Sequence, residues 1–122
     1  AQHMKGKGWG RIVNIASVDG FLPFPGMAHY AASKAAVISL TKTFGMAYLA
    51  DNIVVNGVAP GAIDTEPMRI GNHIARLAET AIPMGRGGEP HEMAEAVAFL
   101  ASDAASYFVG ETIVASGGLA FR

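Results

Sequence analysis

Short apolar runs alternate with longer segments of helical periodicity along this chain of 122 residues. Three runs, at residues 11–16, 52–59 and 111–115, are rich in valine, isoleucine and alanine, which is typical of buried parallel strands. Apolar residues recur at spacings of three and four across residues 27–49, and Pro90 begins another helical pattern. The alternation therefore predicts an α/β fold in which right-handed crossovers join three parallel strands.

Composition argues against several classes of partner. A length of 122 residues leaves room for one domain at most, and 51% hydrophobic against 16% charged residues suits a large buried sheet. The formal net charge of −1 gives no attraction to nucleic acid, and the apolar runs are too short to cross a membrane. No metal site is expected, because cysteine is absent and the four histidines lack ligand spacing. The polar N-terminus shows no signal peptide, so we expect a cytoplasmic protein.

The turns that follow the three strands carry candidate functional residues. Ligands of parallel sheets bind beyond the carboxyl ends of the strands, and Ser17, residues 60–65 and Ser116 each follow such an end. We therefore expect these segments to meet at one edge of the sheet. The turn at residues 60–65 begins with proline and glycine, so its backbone could approach a ligand closely; it could equally be an ordinary strand-to-helix turn.

Tyr30 and Lys34 lie four residues apart and therefore on one face of the predicted helix. An ammonium beside a phenol stabilises the phenolate, which lets the hydroxyl exchange a proton near neutral pH, as general acid–base catalysis requires. Ser17 could hold a carbonyl oxygen while Tyr30 delivers the proton. Alternatively, Ser17 only ends a strand and Tyr30 is a partly buried aromatic residue. A Ser17–His29–Asp64 hydrolase triad has less support, because Ser17 lacks the G-x-S-x-G elbow.

A glycine-rich turn that could hold a pyrophosphate is not evident. Residues 6–10 contain three glycines but precede a strand instead of linking a strand to a helix, and residues 85–88 also lack a preceding strand. Two apolar segments flank the candidate site and favour an apolar or mixed substrate pocket, although they could equally be packing. They contain Phe21, Leu22, Phe24 and Met27 before Tyr30, and Pro67, Met68, Ile70, Ile74 and Leu77 after the second strand.

Taken in order, these motifs resemble those of the short-chain dehydrogenases/reductases over nearly the whole chain. Each motif is weak alone, but several occur in the order and spacing of the family. The resemblance implies reversible hydride transfer between NAD or NADP and a carbonyl or secondary-alcohol substrate, in a Rossmann-like doubly wound parallel sheet. The matching segments are residues 10–17, 30–34, 52–61, 88–90 and 99–102, together with Thr65, Gly117 and Gly118.

The resemblance also implies roles for individual residues. Ser17 would orient the substrate oxygen, Tyr30 would be the catalytic acid/base, and Lys34 would hold the nicotinamide ribose and promote ionisation of the tyrosine. Residues 66–82 would form a variable substrate lid. The residues that would bind the nicotinamide end of the cofactor are Tyr30, Lys34, Pro60, Gly61, Ile63 and Thr65.

Members of this family are longer than the present sequence, and the segments matched here belong to their C-terminal half. Residues 1–122 therefore resemble half of one domain, with three C-terminal strands and their helices but without the N-terminal cofactor-binding half. The choice between NAD and NADP stays open, because the residue that selects between them precedes the matched segments. The first strand is expected to have an open apolar edge. Two positions depart from the common pattern: Ser116 replaces an aspartate, and Val54 replaces an arginine.

The expected partners are a small carbonyl or alcohol substrate and further copies of the chain. Relatives that pack the tyrosine-bearing helix against its mate imply a homodimer or homotetramer. Two alternatives stay open. The chain could be a truncated, non-catalytic fragment that self-associates and cannot bind the dinucleotide, or it could share its Tyr–Lys pair with epimerases and dehydratases.

Overall fold

The computed structural model describes residues 1–120, which contain a three-stranded parallel sheet. β1 (Gly10–Ile15) pairs with β2 (Ile53–Pro60), and β2 pairs with β3 (Thr112–Ala115), so the spatial order is β1-β2-β3. Each strand boundary lies within one residue of the predicted one. The structure therefore confirms the α/β class and the parallel sheet that the alternating sequence pattern predicts.

Five α-helices accompany the strands in residues 1–120. α1 (Gln2–Lys5) precedes β1, and α2 (Ala28–Tyr48) joins β1 to β2. α3 (Glu66–Arg69), α4 (His73–Thr80) and α5 (Pro90–Ala101) lie between β2 and β3. None of these helices is long and apolar enough to cross a membrane. Single turns of 3₁₀ helix occur at Val18–Gly20, Leu49–Asp51, Ile70–Asn72 and Asp103–Ala105.

β2 is the central strand and is buried from both sides. Residues 53–59 are all buried, and successive side chains point to opposite faces of the sheet. Ala59 packs in a cluster with Ile38 of α2, whereas Val58 packs with Leu100 of α5. Helices therefore cover both faces, which explains why this strand reads as an almost uninterrupted apolar run.

α5 begins at Pro90, as the sequence predicts. The Glu92 carboxylate accepts hydrogen bonds from the Glu89 N–H (2.7 Å) and from the Arg86 guanidinium (2.8 Å). The Arg86 guanidinium and the Glu89 N–H lower the pKa of Glu92 to about 2. This arrangement completes a capping box at the helix N-terminus and ties the preceding loop to the helix.

β1 lies at an edge of the three-stranded sheet, as expected. Ile15 at the end of β1 and Trp9 immediately before it are each 50% exposed. Within residues 1–120, one side of β1 has no neighbouring strand, although the Ile15 carbonyl accepts a hydrogen bond from Lys34 Nζ. Such an edge is typical of a strand that pairs with a further strand.

Gly45 sets how closely α2 approaches the segment before β3. A Cβ atom at position 45 would lie 2.9 Å from both the Cα and the N atom of Gly110. The Gly110 N–H donates a hydrogen bond to the Val55 carbonyl (2.8 Å), which holds this backbone against β2. The contact therefore leaves no room for a methyl group.

Replacing Gly45 with alanine is expected to lower the free energy of unfolding by up to roughly 2 kcal/mol. Overpacking against backbone costs roughly 1–3 kcal/mol, of which the better helix propensity of alanine offsets roughly 1 kcal/mol. Denaturant titration of the full-length protein measures the change. Ser39→Ala, at an exposed position of the same helix, is the control and should change stability by no more than roughly 0.5 kcal/mol. A Gly45→Ala variant more stable than the parent would contradict the close contact.

Candidate active site

A cavity of about 600 Å³ lies where β1 and β2 end. The residues after β1, the N-terminal half of α2 and the turn after β2 all contribute to its lining. Its polar side chains come from Ser17, Asp19, Tyr30, Lys34 and Thr65. The cavity lies beyond the carboxyl ends of parallel strands, which is where ligands of such sheets bind. Every residue for which the family resemblance implies catalysis or cofactor binding lines it: Ser17, Tyr30, Lys34, Pro60, Gly61, Ile63 and Thr65.

Ser17 is buried at the start of the 3₁₀ turn that follows β1. Its backbone is extended, and its Oγ accepts a hydrogen bond from the Asp19 N–H (3.2 Å). This bond uses one lone pair of the hydroxyl and leaves the hydroxyl proton available. Ser17 can therefore donate a hydrogen bond to an oxygen atom in the cavity.

Gly20 lets α2 approach this 3₁₀ turn. A Cβ atom at position 20 would lie 2.7 Å from Ile38 Cδ1 and 2.9 Å from the backbone carbonyl carbon of Lys34. The second contact involves helix backbone, which cannot move aside as a flexible side chain can. The absence of a side chain at Gly20 thus allows the part of α2 that carries Lys34 to pack against the residues that follow β1.

Lys34 is anchored to β1. Its Nζ donates a hydrogen bond to the Ile15 carbonyl (3.0 Å) and lies 5.6 Å from the centroid of the Tyr30 ring. An ammonium has three protons, so this bond leaves two for other partners. A positive charge therefore lies close to the phenol, and both side chains line the same cavity.

The turn after β2 is held on two sides. A Cβ atom at Gly61 would lie 2.8 Å from the Cα of Ser116, so the turn packs directly on the segment after β3. Ile63 forms an isolated parallel bridge with Gly88, and the Asp64 N–H donates to the Gly88 carbonyl (2.7 Å). These contacts fix the backbone of residues 61–64 at the cavity wall.

Ser116 follows β3 but does not line the cavity, contrary to the expectation that it joins the site. Its Oγ donates to the Ala120 carbonyl (3.1 Å) and accepts from the Ala120 N–H (3.2 Å). Both bonds close the turn after β3. Ser116 therefore supports the backbone beside Gly61 and contributes no functional group to the cavity.

The hydrolase alternative finds no support in residues 1–120. His29 is exposed and does not line the cavity. The Asp64 carboxylate accepts a hydrogen bond from Arg69 Nε (2.7 Å), and this bond lowers the pKa of Asp64. Ser17, His29 and Asp64 thus do not form the hydrogen-bonded series that a triad requires.

Apolar side chains complete the cavity wall. Phe24 and Met27 precede α2, whereas Met68 belongs to α3 and Leu77 to α4. All four belong to the two apolar segments that favoured a pocket at the sequence level. The remaining members of those segments, which do not line this cavity, are Phe21, Leu22, Pro67, Ile70 and Ile74.

Sequence reasoning missed Asp19 and Leu119, both of which line the cavity. The sequence could have indicated Asp19, since this residue carries a carboxyl two positions after Ser17 in an otherwise apolar segment. Nothing in the sequence indicated Leu119, because its place at the cavity depends on the turn after β3.

A family profile described as enoyl-(acyl carrier protein) reductase matches residues 1–120. The chain belongs to the short-chain dehydrogenase/reductase family. Among curated members, it is 45% identical over 117 residues to a 3-oxoacyl-[acyl-carrier-protein] reductase from Vibrio cholerae, covering 95% of this chain and 48% of that protein. This short-chain dehydrogenase/reductase chain thus spans about half the length of the curated relatives it matches.

Solved structures of short-chain dehydrogenases/reductases share its fold. A gluconate 5-dehydrogenase from Burkholderia cenocepacia in complex with NADP and tartrate superposes with a TM-score of 0.89 at 38% identity, covering 97% of this chain and 48% of that one. An acetoin dehydrogenase from Salmonella typhimurium gives a TM-score of 0.83 at 41% identity, and the match covers 97% of this chain and 46% of that one. The three-stranded sheet therefore matches part of the Rossmann fold of these oxidoreductases.

Proposed function

We propose that this chain is the C-terminal, catalytic half of an NAD(P)-dependent oxidoreductase that interconverts a carbonyl group and a secondary alcohol. The observation that carries the proposal is the convergence of Ser17, Tyr30 and Lys34 on one cavity beside the turn at residues 60–65. A hydroxyl donor, a phenol and an ammonium are together the groups needed to bind a carbonyl oxygen and protonate it.

In the proposed reaction, Ser17 and Tyr30 share the substrate oxygen. Ser17 donates a hydrogen bond to it, and Tyr30 delivers a proton as negative charge develops there in reduction, or removes the proton in oxidation. Lys34, which is 5.6 Å from the Tyr30 ring, stabilises the phenolate that remains after proton transfer. The nicotinamide, when bound, supplies or accepts the hydride.

The donor set of the cavity fits the nicotinamide end of NAD(P). The two unused protons of the Lys34 ammonium can bind ribose hydroxyls. The fixed backbone of residues 60–65 offers N–H and C=O groups, and Gly61 has no side chain to obstruct a ring. We assign Tyr30, Lys34, Pro60, Gly61, Ile63 and Thr65 to this end of the cofactor, without a preference between NAD and NADP.

The pyrophosphate end of the cofactor needs groups from elsewhere. Among residues 1–120, Gly6 and Gly8 precede β1 and Gly10 begins it, so these glycines lie at the opposite end of the strand from the cavity. We propose that a preceding half-domain supplies the phosphate-binding turn and pairs with the free edge of β1. The exposed Ile15 and Trp9 at that edge support this arrangement.

The proposed substrate is a small carbonyl or alcohol compound, the class that the names of the matched reductase and dehydrogenases indicate. The wall formed by Phe24, Met27, Met68 and Leu77 supports a substrate with an apolar portion. We also propose a homodimer or homotetramer that uses α2, on which Leu40 is 46% and Met46 is 74% exposed. Size-exclusion chromatography with light scattering tests the oligomeric state.

Hydride transfer by the full-length protein tests the proposal. Purified protein is mixed with each of the four cofactor forms and with ketone or alcohol substrates, and the absorbance of reduced nicotinamide is followed. We expect reversible, cofactor-dependent turnover. We also expect saturable binding of either NAD and NADH or NADP and NADPH. The isolated 122-residue chain should not bind the cofactor saturably, since the phosphate site is proposed to lie outside it. Saturable cofactor binding without turnover on any carbonyl or alcohol would contradict the oxidoreductase assignment.

A further inference from the structure

Within residues 1–120, Asp19 is the one polar side chain at the cavity to which the proposed reaction gives no task. Of the polar lining side chains, Ser17, Tyr30 and Lys34 are assigned to the chemistry, and Thr65 to the cofactor. Asp19 is also the only acidic residue among them. A carboxyl group at a ligand cavity that has no other role is expected to hydrogen-bond to a ligand.

The position of Asp19 is fixed relative to the reacting oxygen. Its backbone N–H donates to Ser17 Oγ (3.2 Å), and it belongs to the 3₁₀ turn Val18–Gly20. That turn is packed against α2 through the close contacts of Gly20. Because the aspartate side chain is short, its carboxylate can reach only those ligand groups that lie near the oxygen held by Ser17.

The carboxylate of Asp19 has no protein partner in the described part of the chain. It forms neither an ion pair nor a hydrogen bond within residues 1–120, although Lys34 lines the same cavity and bonds instead to the Ile15 carbonyl. The Asp19 side chain is partly buried, this burial raises the pKa of Asp19, and Val18 and Phe24 line the same cavity. The acceptor oxygens of the carboxyl are therefore available to a ligand donor.

We propose that Asp19 is a specificity residue that accepts a hydrogen bond from a substrate hydroxyl on the carbon next to the reacting carbon. The inference rests on the proposed function and assigns its substrates to the α-hydroxy ketones and vicinal diols. A neutral donor fits better than a cation, because the Lys34 ammonium already occupies the cavity. A carboxylate next to the reacting carbon is disfavoured by repulsion from Asp19.

The test compares α-hydroxyacetophenone with acetophenone, which differ only in the hydroxyl next to the carbonyl. The full-length protein, Asp19→Asn and Asp19→Ala are assayed with the reduced cofactor, and kcat/KM is measured for both ketones. We expect the parent to prefer the hydroxy ketone and Asp19→Ala to reduce that preference by roughly 10-fold or more, the size expected for a hydrogen bond to a charged group. Asp19→Asn keeps the shape and one acceptor oxygen, so its loss should be smaller.

Glu95→Gln is the matched control, since it removes one negative charge from an exposed position of α5 that neither lines the cavity nor belongs to residues 66–82. It should leave the preference unchanged. Unchanged preference in both Asp19 variants, with acetophenone still reduced, would overturn the role of Asp19 and leave the proposed function intact. A parent protein that reduces neither these nor other carbonyl compounds would overturn the proposed function itself, and this inference with it.

Discussion

Replacing Tyr30 with phenylalanine is expected to lower turnover by roughly 10²- to 10⁴-fold, the usual contribution of a general acid–base group. Phenylalanine keeps the ring that lies 5.6 Å from Lys34 Nζ and removes only the hydroxyl. Packing at the cavity should therefore persist, and the loss should fall on kcat more than on cofactor affinity. Steady-state kinetics and a cofactor titration of the full-length protein measure the two quantities separately.

Tyr107 provides a matched control for this substitution. It is 98% exposed and does not line the cavity, so Tyr107→Phe removes the same hydroxyl from a site without a proposed role. Its turnover should equal that of the parent. Near-normal turnover in Tyr30→Phe would contradict the proposal that Tyr30 exchanges the proton with the substrate oxygen.

Replacing Lys34 with methionine is expected to give the second largest effect. Methionine keeps much of the apolar stem but removes both the charge near Tyr30 and the hydrogen bond to the Ile15 carbonyl (3.0 Å). Proton transfer near neutral pH should slow by roughly 10²-fold, because the phenolate loses its neighbouring cation. The cofactor dissociation constant should also increase, because the ammonium that is proposed to bind the ribose hydroxyls is lost.

Two further variants test whether the effect depends on the positive charge and on its location at residue 34. Lys34→Arg retains the positive charge and should keep more of the activity at neutral pH than Lys34→Met. Lys42→Met removes a charge from an exposed position of the same helix and should leave turnover and cofactor affinity unchanged. A Lys34→Met enzyme whose turnover and cofactor dissociation constant equal those of the parent would contradict the role proposed for this ammonium.

The sequence pattern located the three strands, α2 and α5 closely, because each of these elements satisfies a local rule. β2 reads as a continuous apolar run because helices cover both of its faces, and α5 begins at Pro90 because proline suits a first helical turn. The segment that follows the turn after β2 was harder to predict. Residues 66–82 contain two helices interrupted at Gly71, which has a φ of 72°, and each is too short for a clear periodicity.

The roles of single residues around the cavity depended on contacts between distant parts of the chain. Ser116 follows a strand end, as Ser17 does, yet its hydroxyl bonds to the backbone of Ala120. His29 adjoins Tyr30 in the sequence but is exposed, whereas Asp19 lines the cavity. Position in the sequence cannot separate these cases, because it does not say which surface each turn presents to its neighbours.

The sequence by itself determined the α/β class, the parallel strands, the family and the spacing that puts Tyr30 and Lys34 one helical turn apart. These properties follow from local periodicity and from motif order. Only the tertiary structure decided that the Lys34 ammonium bonds to the end of β1 and that Asp19 has no partner in the described protein. The Lys34 bond requires α2 to lie close to the residues after β1, and the missing side chain of Gly20 permits that approach.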